Sequence, residues 1–104
     1  MAMSEFLLSD AELMARTFGV VLGAASCNGL VSHERVGTVA GQMKSVLTAV
    51  ASNDREVRAA YAQFSTAIDA GRRAARDGEI QDWAAENALR QIEDDLENAR
   101  VMLD

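Results

Sequence analysis

Apolar residues recur every three or four positions along nearly the whole chain, which is the spacing of one face of an α-helix. Four stretches carry this pattern. In the first, Met14, Phe18, Val21 and Ala25 follow Ser9, with Glu12 in capping-box spacing and Leu8 and Leu13 placed as a hydrophobic staple. Asn28-Gly29 marks its end, because glycine accepts the left-handed conformation that closes many helices. The second starts at Ser32, with Val31 and Val36 as another staple, and carries Val36, Val39, Met43, Val46 and Val50. Ser52-Asn53-Asp54 reads as a third start, with Asn53 and Glu56 in capping-box spacing. Val57, Ala60, Tyr61, Phe64, Ala67 and Ile68 then share a face, and Asp77-Gly78 ends the stretch. The fourth runs from about Ile80 to the end, with Leu89, Ile92, Leu96, Ala99 and Leu103 inward.

This pattern predicts an all-α fold: a four-helix bundle of two helical hairpins, one domain over 1–104, with 1–8 as an N-terminal tail. One alternative competes with it. The three-four alternation continues from Val36 through Asn53 to Ala74, a heptad seam with one asparagine and no glycine or proline between Gly41 and Gly71. Read that way, the chain has three helices with a long central one, and it dimerises. Three poor helix formers at 52–54 favour the break.

Composition agrees with helix. The chain has 19 alanines and no proline, and alanine is the best helix former and is depleted in strands. Few large side chains remain for the core, so Phe18, Val21, Met43, Val46, Phe64, Ile68, Ile92 and Leu96 are expected as its central layers.

Charge narrows the partners. A net charge of -6 argues against a nucleic-acid binder, whose affinity comes from cations that neutralise phosphates. Arg72, Arg73 and Arg76 nevertheless cluster just before a strongly acidic last segment. They read either as a basic clamp for an acidic partner or as cations favoured near a helix C-terminus. The uncharged stretch Thr17 to Ser32 is short for a membrane span and is interrupted by Gly19, Gly23, Asn28 and Gly29. No basic region precedes an apolar run at the N-terminus, and one cysteine excludes an internal disulfide. The expectation is an acidic, cytoplasmic, bacterial-type small protein that does not associate with membranes.

No catalytic site is expected, and no cofactor or metal. The single histidine and single cysteine cannot make a zinc site within one chain, and spacing does not bring Cys27 to His33 as a nucleophile–base pair. There is no Glu-x-x-His pair for a di-iron bundle and no phosphate-binding glycine loop.

Two features point to protein contacts instead. The back of the second helix, opposite its valine stripe, is Gly37, Thr38, Gly41, Ser45 and Thr48, where a solvated face normally carries Glu, Lys or Arg. Trp83 falls away from the Leu89–Ile92–Leu96 stripe, near Arg90, Glu97 and Val101, and tryptophan is enriched among interface hot spots. Gly37, Thr38, Gly41, Ser45 and Trp83 are the candidate interaction residues. The reading they support is a non-enzymatic helical module for self-assembly, a homodimer first, or for binding another protein.

Two local resemblances add alternatives. His33 and Gly37 resemble histidine phosphotransfer domains, four-helix bundles with an exposed histidine, a basic residue three positions on and a glycine four on; Val36 stands where that base would be, and Arg35 is one position early. The resemblance implies His33 as phosphoacceptor of a signalling module. Asn28-Gly29-Leu30-Val31-Ser32 and Asp77-Gly78-Glu79-Ile80-Gln81 share an Asn/Asp-Gly-x-Val/Ile turn between helices. With Glu34 and the lead-in Gly23-Ala24-Ala25-Ser26, the first copy resembles the helical tellurite-resistance B (TerB-like) family, which implies a metal- or stress-linked role. Asn28 replaces that family's aspartate, and Arg35 replaces an acid. Read as an EF-hand loop, the second copy would place Arg73, Ala75 and Ala84 at ligand positions, so it should not bind calcium.

Overall fold

A computed structural model describes residues 8–103, except for the side chains of residues 100, 102 and 103. The expected tail thus lies outside the described residues apart from Leu8. Among the described residues four helices form the fold: α1 (Asp10–Ser26), α2 (His33–Val50), α3 (Asp54–Arg76) and α4 (Asp82–Leu103). A 3₁₀ turn, Cys27–Gly29, follows α1, and no strand occurs among the described residues. The architecture is an all-α four-helix bundle.

The starts of α1, α2 and α3 each follow from a polar side chain that satisfies a backbone N–H left free by the first turn. Ser9 accepts from the Glu12 N–H at 3.2 Å while Glu12 accepts from the Ser9 N–H, a complete capping box. Ser32 accepts from the Arg35 N–H. Asn53 accepts from the Glu56 N–H at 2.9 Å, and Glu56 reaches back one residue further than a standard box to accept from the Ser52 N–H at 2.9 Å. These bonds settle the break at 52–54. Ala51 ends α2 in an extended conformation and Asn53 starts α3, so the single long rod does not form. At the other end of α3, Gly78 takes φ +79°, and the Glu79 N–H reaches the Ala74 carbonyl at 2.9 Å, a Schellman closure. Helix α4 then begins two residues later than its apolar pattern implied, and Ile80 packs on the core instead.

The packing order differs from the chain order. Helix α1 touches each of the other three, and its most extensive contact is with α3. The two run parallel: Gly19 lies against Phe64 and Ala67, Gly23 against Ile68, and Ser26 against Arg72. The approach is backbone to backbone. A Cβ added at Gly23 would lie 2.0 Å from the Ile68 carbonyl oxygen, and one at Gly71 would lie 2.1 Å from the Val20 carbonyl oxygen. Two layers of helix result, in a molecule of 39 × 36 × 17 Å.

This approach changes which residues of α1 are inside. Ala11, Ala15, Gly19, Leu22 and Gly23 are buried, whereas Phe18 and Val21, expected in the central layers, are only partly so. Small residues let two backbones meet, and the bulky ones are turned toward the sides. Ile68 shifts to partial burial for the same reason. Met43, Val46, Phe64, Ile92 and Leu96 are buried as expected, joined by Leu22, Leu47 and Leu89. Leu13 and Val50, placed in apolar patterns by their spacing, stand substantially exposed near helix ends.

Candidate functional site

The outer face of α2 is built by its inner one. Val39, Met43, Val46 and Leu47 are buried, which turns Gly37, Thr38, Gly41 and Ser45 outward, and all four are exposed. Their polar groups are quiet: Ser45 donates to the Gly41 carbonyl at 3.1 Å within the same helix. Further along, Thr48 meets the Tyr61 hydroxyl at 2.7 Å and thereby ties the end of α2 to α3. A Cβ added at Gly37 or Gly41 would meet no atom within 4 Å. These two glycines therefore have open space above them, in a helix whose own stability they lower.

Trp83 lies in the first turn of α4 and is 69% exposed; Val101, on the same helical face, is 67% exposed. The structure thus places every residue of the expected interaction set on the surface.

Arg35 has a role that spacing did not disclose. Its Nε donates to Glu93 Oε2 at 3.1 Å and its second amino group to Glu93 Oε1, a bidentate pair between α2 and α4. These hydrogen bonds hold the Arg35 guanidinium more firmly protonated than usual, against a partial opposing cost of burial. The partner sits 58 residues away, so only the fold could reveal it. His33, two residues before, is exposed at the first position of α2. The base nearest to it in sequence, Arg35, is committed to Glu93.

Two concavities flank α1. An apolar groove of about 380 Å³ runs between α1 and α4, lined by Leu13, Met14, Phe18, Leu96 and Ala99, with Val46 of α2. A second, more polar cleft of about 440 Å³ lies where α1 and α3 end together. Ser26 and Cys27 form one wall, and Asp69, Arg72, Arg73 and Arg76 form the other. The arginine cluster was visible in the sequence; the serine and cysteine opposite it were not, because only the parallel α1–α3 packing brings them together.

Among the described residues, no three His, Cys, Asp or Glu side chains converge as a metal site, and no helix is long and apolar enough to cross a membrane. Compared with known protein families, curated proteins and solved structures, the chain matches none.

Proposed function

We propose that this protein is a non-enzymatic helical module that associates through the outer face of α2, a second copy of the chain being its first partner. One observation carries the reading. Gly37 and Gly41 are four residues apart on an exposed helix, with right-handed backbone and free space above both. The other helix glycines, Gly19, Gly23 and Gly71, are explained by backbone contact inside the fold, and Gly29 and Gly78 by their positive φ. Glycine in a helix costs about 1 kcal/mol relative to alanine. On α1 the same spacing, Gly19 and Gly23, brings the α3 backbone into contact. The α2 pair offers an incoming helix an equivalent seat, flanked by Thr38 and Ser45. Exposed Trp83 is a second anchor of the kind that interfaces favour.

The test combines sedimentation with unfolding. Wild type should sediment at micromolar concentration with twice the 11.2 kDa chain mass. The double variant Gly37→Ala/Gly41→Ala should shift to the monomer. Its monomer should be more stable than that of wild type, by up to about 1 kcal/mol per site. A wild type that stays at the chain mass, with the variant merely more stable, would rule out self-association through this face.

A further inference from the structure

The cleft between the ends of α1 and α3 holds an arrangement that the α2 reading does not use. Arg72, Arg73 and Arg76 line it from α3, and Ser26 and Cys27 close it from α1 and the turn that follows. The chain has 16 Asp and Glu against 10 Lys and Arg, so carboxylate partners are in excess. Among the described residues, no carboxylate forms an ion pair with these three arginines, whereas Arg35 pairs with Glu93 and Arg90 with Glu86. Arg72 donates only to the neutral Ser26 hydroxyl, at 3.4 Å, and that hydroxyl in turn donates to the Gly23 carbonyl at 2.9 Å. The negative ends of two parallel helices meet here, which explains why cations are tolerated side by side. It does not explain a concave, unpaired set of guanidinium groups in an acidic protein.

We infer that this cleft binds a phosphate group, either free or carried on a small molecule. Charge favours a dianion. Three guanidinium groups against the one lining carboxylate, Asp69, leave a surplus of two positive charges. A phosphate monoester carries about -1.5 to -2 at neutral pH, whereas a single carboxylate carries one charge. Shape agrees, because the planar fork of arginine meets phosphate oxygens two at a time. At about 440 Å³ the space exceeds what a bare phosphate fills, which leaves room for the group that bears it.

The experiment uses the full chain and two probes, inorganic phosphate and phenyl phosphate, against acetate and chloride at matched ionic strength. Thermal unfolding should show a saturable rise with either phosphate and none with acetate. Phenyl phosphate binding more tightly than inorganic phosphate assigns the remaining space to a carried group, and equal binding assigns the site to the free ion. Phosphate should also slow alkylation of Cys27, a local report that does not depend on stability. In Arg73→Gln/Arg76→Gln, affinity should fall about tenfold or more, as expected for lost charged hydrogen bonds. In Arg55→Gln/Arg58→Gln, an equal charge change at the other end of α3, it should persist. Absence of a saturable response and of Cys27 protection would overturn the inference. So would equal loss in both double variants. Acetate or an Asp/Glu-rich peptide acting as well as phosphate would also overturn it, and would reassign the cleft to an acidic protein segment.

Discussion

Glycine and tryptophan occupy opposite situations in this molecule, and substitutions there separate core from surface. At Gly71 an added methyl would press on the Val20 backbone at 2.1 Å, and no side-chain rotation can relieve a backbone clash. Gly71→Ala should therefore destabilise by about 1–3 kcal/mol or more from overpacking, even though alanine is the better helix former. Phe64 shows the converse. It is the largest of the fully buried side chains, and its ring has no substitute in a core so rich in alanine. Phe64→Ala should cost about 3–5 kcal/mol, a large part of the roughly 5–15 kcal/mol available to a small domain. Trp83→Ala removes a larger side chain from the surface and should change monomer stability by about 0.5 kcal/mol or less. Urea melts of the three variants at low protein concentration check the ranking; a Trp83 variant as damaged as the Phe64 one would show that the ring packs inward.

At the scale of elements, the junction of α2 and α3 is held by few groups, and one of them titrates. The Ser52 N–H donates to the Glu56 carboxylate, and that bond, with a smaller contribution from the Ser9 hydroxyl, holds Glu56 below the usual carboxylate range. A carboxyl with a depressed folded pKa contributes its stability above the unfolded value, about 4.3 for glutamate. The contribution fades as pH falls through the folded value, because protonation then favours the unfolded chain. Glu56→Ala should thus be less stable than wild type at neutral pH, and the gap should narrow below about pH 4. Paired denaturant melts at pH 7 and pH 3 measure this directly. A gap that stays constant would mean that Glu56 acts through packing and not through its charge. The Arg35–Glu93 bridge between α2 and α4 adds a second polar tie, but both side chains keep about a third of their exposure, so screening limits it.

At the scale of the whole molecule, α1 is the hub. It carries α3 against one side by backbone contact, while α2 and α4 pack elsewhere on it and on each other. Consecutive helices α3 and α4 make no extensive contact, and the radius of gyration, 13.9 Å, is slightly above the roughly 13 Å of a compact chain of this length. The flat shape leaves distinct surfaces free: the small-residue face of α2, the apolar groove beside α4, and the arginine cleft at the shared end of α1 and α3. The proposed assembly uses the first and the proposed phosphate site uses the third, so each can be removed by substitution without touching the other.

The helical class, the number of helices and most of their ends were legible in the sequence, because those properties are local. Ser9, Ser32 and Asn53 cap the turns that follow them, Gly78 closes α3, and a three-four repeat of apolar residues marks the inner faces of α2, α3 and α4. The outward position of Gly37, Thr38, Gly41, Ser45 and Trp83 was legible for the same reason, since a helix with one face buried presents the other. Which helices meet was decided only by the tertiary structure. Hydrophobic spacing identifies a face but not its partner, and it undervalues glycine and alanine, which contribute by closeness and not by apolar area. The Gly19–Gly23 pair therefore read as an interruption of an apolar stretch until α3 was seen lying on it. The Arg35–Glu93 bridge and the Ser26–Cys27 wall of the arginine cleft follow from that same parallel pairing and its neighbours. They join residues 58 and 46 positions apart, a separation over which sequence pattern carries no geometric information.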